Sequence, residues 1–216
     1  MFTIVCNSQK GGSGKTALCR VLSVQASRAM HSVFLIDIDT QGTLSQWHEA
    51  REAEEPRRVV LPIEGLKDGL KLLDQHGADF VFIDTPPNAS EALDEVFKLA
   101  NLVIVPIKPT SDDLKAAAVT VTRLKALGVP FLFVITQAIT NTNITAQAIA
   151  ALSHHGAVAQ TVIANRVAYP SAFTDGRTPQ EISPRSPAAL EVAGLWTNIE
   201  ACLHAGMQTR KESVNG

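Results

Sequence analysis

The first thirty residues constrain the fold more tightly than any other stretch. A short aliphatic run, 2-FTIVC-6, leads into 10-KGGSGKT-16 and then into 17-ALCRVLSVQASRAM-30, which contains neither proline nor glycine. An apolar run, a glycine-rich turn and a helix in this order place backbone N–H groups and the positive helix end around an anion. Lys15 is placed to reach the β- and γ-phosphates of a nucleotide, and the hydroxyl of Thr16 to ligate Mg²⁺. The common pattern G-x-x-x-x-G-K-[ST] would need glycine at position 9, where this chain has Gln9, and it does not call for the second lysine, Lys10. The bland alternative is a glycine-rich turn with solvated lysines, against which the order of strand, glycines, lysine, threonine and helix argues.

Further aliphatic runs occur at 33-VFLID-37, 80-FVFID-84, 102-LVIVPI-107, 131-FLFVIT-136 and 161-TVIA-164. None alternates apolar with polar residues, the mark of strands buried on both faces of a parallel sheet. Helix-like segments lie between them: Thr16 to Met30, Gly65 to His76, Ser90 to Ala100, Ser111 to Leu127, Ile144 to His154 and Ala188 to His204. The alternation predicts an α/β fold, doubly wound, with a mostly parallel twisted sheet and helices on both faces. Ligands of such folds bind at the carboxyl ends of the strands. Residues 1–205 read as a single domain, 178-TPQEISPRSP-187 as a loop into the last helix, and 206–216 as a polar, frayed tail.

The strand ends carry the carboxylates that a phosphate site needs. Asp84 closes the run 80–84 and is placed to hold the hydration shell of Mg²⁺. Asp37 and Asp39, two apart on an extended segment, face the same way. One can support the metal while the other orients the attacking water. No arginine is evident near the loop to stabilise the charge of phosphoryl transfer, whereas Lys10 at the edge of the cradle can project toward a second subunit.

KGGSGKT, with its early lysine, resembles the deviant Walker A motif of the ParA/MinD class of P-loop ATPases. The resemblance implies a P-loop NTPase fold, ATP/ADP and Mg²⁺ as cofactors, and nucleotide contacts from Lys10, Gly11, Gly12, Ser13, Gly14, Lys15, Thr16 and Ala17. It implies that Lys10 crosses a dimer interface to the partner's nucleotide, so that Lys10, Lys15 and Asp39 are catalytic. Thr16, Asp84 and Asp37 are then the metal-site residues. The stretch 37-DIDTQG-42 is similar to that class's switch I, usually DxDPQG, with Thr40 in place of proline, and 84-DTPP-87 matches its Walker B and switch II. Stretches 43-TLSQWHEAR-51, 106-PIKPTSDDLKAAA-118 and 166-RVAYPSAFTDGRTPQE-181 resemble small partition proteins of the ParF type. The resemblance further implies an ATP-dependent homodimer that binds nonspecific DNA and is stimulated by a centromere-binding, ParB-like partner. It also implies a cytoplasmic, nucleoid-associated location. The adenine pocket would lie near Thr136 and after Ala164. A VirC1-like or MinD-like nucleotide-gated positioning or adaptor ATPase and a metabolic ATP-dependent ligase using the same loop are the alternatives.

Composition sets the remaining bounds. A net charge of −2 over 216 residues leaves any DNA binding to a local patch, for which Arg51, Arg57, Arg58, Arg166, Arg177 and Arg185 are the candidates. Cys6, Cys19 and Cys202 show no metal-site spacing and read as reduced packing residues of a cytosolic chain, against an iron–sulfur role. The last helix up to 205 contains no lysine or arginine, so it should pack and not insert into a membrane. His154 and His155, adjacent on a helix, face different ways and read as a surface helix end.

Overall fold

The computed structural model describes residues 1–87, 91–140 and 142–214, with backbone alone from 207 onward. Its strands are β1 (Phe2–Cys6), β2 (Val33–Asp37), β3 (Arg57–Arg58), β4 (Phe80–Asp84), β5 (Leu102–Ile107) and β6 (Phe131–Ile135). They form one sheet in the order β3-β2-β4-β1-β5-β6, every pairing parallel. Around it lie α1 (Lys15–Arg28), α2 (Thr43–Glu49), α3 (Leu66–Gln75), α4 (Glu91–Lys98), α5 (Ser111–Ala126), α6 (Asn143–Ser153), α7 (Ala168–Phe173), α8 (Pro179–Ile182) and α9 (Pro187–Val214).

The unalternating strands are buried on both sides, as a parallel sheet requires. Ile4, Leu35, Phe82, Ile104 and Val134 face α1 and α9, where Leu18, Leu22, Val192 and Trp196 meet them. Val5, Ile36, Val81, Val103 and Phe133 face the other way, toward Leu70 of α3, Phe97 of α4, Val121 of α5 and Leu152 of α6. Trp196 stands edge-on to Phe80 at 5.0 Å, and burying such a ring contributes about 2–3 kcal/mol.

Several boundaries differ from the sequence expectation. Residues 161–164 form no strand: Ile163 N–H reaches the carbonyl of Ile135 and Ala138 N–H that of Ile163, and Ala164 makes an isolated bridge with Ala138. The pairing is interrupted at Thr161, whose amide goes to the side chain of Asn198, so that only isolated bridges, Phe133 with Val158 and Ala138 with Ala164, join this segment to the edge of the sheet. The expected loop 178–187 contains α8, whose Thr178 and Glu181 form a capping box. The last helix continues past 205 to Val214, since Met207, Gln208, Arg210, Lys211 and Glu212 are good helix formers and Gly206 costs only about 1 kcal/mol. The strand β3 and the helices α2 and α7 are additional. Ser90, expected to open α4, lies outside the described residues. His154 and His155 are both exposed, and all three cysteines are free.

Candidate functional site

The loop between β1 and α1 is held open from the far side of the sheet. Gly12 and Gly14 take φ of +70° and +104°, left-handed values that side chains rarely adopt. Gly14 stands at the N-cap of α1 with no side-chain cap, leaving the helix's first amides unclaimed by one. The hydroxyl of Thr136, just past β6, donates to the Ser13 carbonyl at 2.6 Å, and Gln137 Nε2 donates to the Gly12 carbonyl at 2.7 Å. With those carbonyls drawn outward, a cradle of amides and a helix end is left facing the groove. Lys15 is buried, and its Nζ lies 3.4 Å from the Lys10 carbonyl across the loop. Burial pulls its pKa down, while the Asp84 and Asp39 carboxylates push back. Lys10 does not enter the cradle. Its side chain is 41% exposed and its Nζ lies 3.6 Å from Asp113, in the first turn of α5.

Strand register gathers the acids. Cys6, Asp84 and Asp37 lie abreast on β1, β4 and β2, so the two carboxylates share the sheet face that α1 covers. Asp84 is 1% exposed and neither of its oxygens has a hydrogen-bond partner among the described residues. Burial pushes its pKa up to about 7, and the Thr16 hydroxyl beside it pulls in the other direction. A buried carboxylate with both oxygens unused, next to a helix-start threonine, suits a hydrated divalent cation. The Ser13 hydroxyl is likewise buried without a partner.

Asp37 is differently placed. One oxygen accepts from the Ser45 amide and hydroxyl at 2.8 and 2.9 Å, and the other accepts from the Asp39 amide at 3.1 Å. Three of its four acceptor positions are thus taken by the Asp39 turn and the start of α2, which leaves one free on the oxygen that faces the Asp39 amide. Asp39 caps its own turn through the Gln41 amide and lines the groove together with Thr16.

Two cavities meet at the loop. One, of about 430 Å³, runs past Gly12, Lys15, Thr16, Arg20, Asp39 and Thr43. The other, of about 270 Å³, is more apolar and is bounded by Leu18, Val21, Ile163, Tyr169 and Pro170. Gly14, Ala17, Gln137 and Phe173 line both. Thr136 and the residues after Ala164 border the second cavity, where the sequence resemblance placed a base pocket. Its wall is fixed by Glu191 of α9, which takes Arg166 at 2.6 Å, the Tyr169 hydroxyl at 3.1 Å and the Ala164 amide at 3.2 Å.

Sequence reasoning missed two cations. Arg20 lines the larger cavity, which corrects the expectation that no arginine approaches the loop. The available signal was its spacing, four residues after Thr16 on one helix face. The Lys108 amine, brought in from the end of β5, would lie 3.6 Å from a Cβ placed on Gly12. Of the six candidate DNA-contacting arginines, five are ion-paired: Arg51 with Glu181, Arg57 with Glu55, Arg58 with Glu49, Arg166 with Glu191 and Arg177 with Asp175. Arg51 is buried under this pairing, its side chain 2% exposed.

Fold and cradle together define a P-loop nucleotide-binding domain. The CobQ/CobB/MinD/ParA nucleotide binding domain family (CbiA) matches residues 4–179, and the chain belongs to that family. It is 27% identical over 121 residues to the protein ParA of Rhizobium radiobacter, an alignment covering 55% of this chain and 54% of that one. The match thus spans about half the length of the curated relative. Among solved structures, apo McdA from Cyanthece superposes with a TM-score of 0.77 at 18% identity, covering 92% of this chain and 99% of the other. The septum site-determining protein MinD of Pyrococcus horikoshii, solved with Mg-ADP, gives 0.76 at 18%, covering 92% and 95%. At these identities the structural likeness establishes the fold. Among the described residues no helix is long and apolar enough to cross a membrane.

Proposed function

We propose that the chain is a Mg²⁺-dependent ATPase of the partition type, in which two copies close around two ATP molecules and exchange Lys10. The observation that carries this reading is the division between the two lysines of the loop. Lys15 is buried over its own cradle, whereas Lys10 is half-exposed at the rim and turned aside. A cation at the rim can be delivered to a neighbouring active site, where charge gathers on the transferring phosphoryl group. In this scheme the amides of 11–17 and Lys15 hold the phosphates, and the cavity beside Tyr169 takes the base. Thr16 and Asp84 would hold Mg²⁺, whose contribution when bound is to neutralise charge on the phosphate oxygens. Asp39 orients the attacking water, and Asp37 holds the Asp39 turn to α2. The ATP-bound dimer binds nonspecific DNA, placing it on the nucleoid in the cytoplasm, and a ParB-like centromere-binding partner accelerates hydrolysis.

The test is light scattering with Mg²⁺ and a non-hydrolysable ATP analogue. The parent should double in mass, and Lys10→Ala should bind the analogue yet stay monomeric; a variant that dimerises as well as the parent refutes the exchange. One observation favours a second reading, a nucleotide-gated positioning adaptor without DNA affinity: five of the six candidate arginines are already paired with carboxylates. DNA retention that requires ATP and falls steeply with salt supports the first reading, and absent retention supports the second.

A further inference from the structure

Among the described residues, every half-buried arginine but one is paired with a carboxylate. Arg51, Arg58, Arg123 and Arg166 pair with Glu181, Glu49, Asp94 and Glu191, while Arg20 has no carboxylate partner. Its NH2 donates to the Thr43 carbonyl at 2.7 Å, its Nε is buried without a partner, and its guanidinium carbon lies 4.8 Å from the Phe173 ring and 5.7 Å from that of Trp47. A planar guanidinium against two rings and a carbonyl is held in orientation as well as in place.

The three groups it touches come from two elements, α2 and α7. Thr43 is the first residue of α2 and directly succeeds the turn Asp39–Gly42, which is closed by the Gly42 amide on the Asp39 carbonyl at 2.9 Å. Trp47 sits one turn further along α2. Phe173 ends α7 and lines both cavities. From the other side, Asp37 holds α2 through Ser45. The start of α2 is therefore held by β2 through Asp37, by β3 through Arg58, whose guanidinium donates to the Ser45 hydroxyl at 3.2 Å, and by α1 through Arg20, the one of the three that reaches the backbone at Thr43. On the α1 side Arg20 lies one helical turn from Thr16, at the floor of the groove.

We propose that Arg20 is a positioning residue that holds the Asp39–Thr43 turn against α1, and thereby sets the hydrolysis step and not nucleotide affinity. The proposal rests on reading the larger cavity as the hydrolytic site. Arg20 acts on Asp39 through the backbone of Thr43, and its loss frees that turn while leaving the amide cradle and Lys15 untouched.

The experiment compares the parent, Arg20→Gln and Arg20→Lys in the full chain. It measures the affinity for a fluorescent ATP analogue, the single-turnover hydrolysis rate with Mg²⁺, and acrylamide quenching of tryptophan in the nucleotide-free protein. Arg20→Gln should bind within about threefold of the parent but hydrolyse about tenfold more slowly, the signature of a loss confined to the chemical step. Arg20→Lys keeps the charge but not the planar fork, and should resemble Arg20→Gln. Because Trp47 and Trp196 are both buried, a freed α2 should also make tryptophan more quenchable in Arg20→Gln before any nucleotide is added. Parental hydrolysis in Arg20→Gln, or a rate lost only in proportion to affinity, overturns the proposal. So does unchanged quenching, which is read without nucleotide. A parent that neither binds nor hydrolyses ATP sinks the functional reading instead, and the quenching comparison still decides whether Arg20 positions α2. Thermal melts of each variant separate these outcomes from unfolding.

Discussion

Replacing Asp84 by asparagine should stabilise this protein in the absence of metal and nucleotide, although it removes a residue of the proposed metal site. The ionised carboxylate is buried and its oxygens have no hydrogen-bond partner among the described residues, and burial lifts its pKa from 3.8 to about 7. Each pKa unit corresponds to about 1.4 kcal/mol, so the rise amounts to an upper bound of about 4 kcal/mol against the charged form. The native state then holds a proton between about pH 4 and pH 7 that the unfolded chain has released, so the Asp84 contribution to stability declines as pH rises through that window. Above it the penalty is complete, and below it the penalty vanishes. Asparagine keeps the shape without the charge. Thermal unfolding of parent and Asp84→Asn in EDTA, from about pH 4.5 to pH 8.5, should give curves that converge at the acid end and diverge upward. At the alkaline end the variant should be ahead by about 2–4 kcal/mol, or on the order of 5–15 °C for a chain of this size. Mg²⁺ with ATP should reverse the order by stabilising the parent more than the variant. Parallel pH profiles in EDTA, or a parent that is more stable than Asp84→Asn at the alkaline end, would refute the burial argument.

Two further substitutions test how the site is supported. Gly176→Ala should destabilise the protein by about 3 kcal/mol or more in urea unfolding, because a Cβ there would lie 2.5 Å from the Arg51 amide nitrogen and 2.7 Å from the Ala50 carbonyl at a φ of +75°. Tyr169→Phe removes the hydroxyl that donates to Glu191, and should cost about 1 kcal/mol in stability with a several-fold loss of ATP-analogue affinity measured by fluorescence titration. An unchanged affinity in Tyr169→Phe would mean that the smaller cavity is not where the base binds.

How much the sequence discloses depends on the range of the interactions concerned. The runs that become β1, β2, β4, β5 and β6 are legible because burial on both faces leaves a local, unalternating signature. Gly14, Lys15 and Thr16 are legible because a phosphate cradle is built from neighbours in the chain. The abreast placement of Asp37 and Asp84 is half legible: each ends an aliphatic run, but only the parallel register makes them partners. Arg20 is not legible as a site residue, because Thr43 lies 23 positions from it in sequence and Phe173 is brought in only by tertiary packing. The same holds for Arg51 and Arg166 among the arginines offered as DNA contacts, whereas Arg57 and Arg177 pair with carboxylates only two residues away, Glu55 and Asp175. Nothing local to Arg51 announces that Glu181, 130 residues away, will neutralise it. The brevity of β3 explains its omission, since two residues carry no periodicity.

The two hydrogen bonds that draw the loop carbonyls outward also govern when the cradle can come into being. Each peptide unit here is trans and planar, so a carbonyl held on one side commits the N–H of the next residue to the other. Thr136 on Ser13 thus aims the Gly14 amide, and Gln137 on Gly12 aims that of Ser13. Both donors come after β6, more than a hundred residues downstream of the loop they shape. A ribosome that has released only the first four strands has made every residue of the phosphate-binding loop but not the loop's working shape. The cradle's working shape therefore waits until Thr136 and Gln137 have emerged and the edge of the sheet closes onto its beginning.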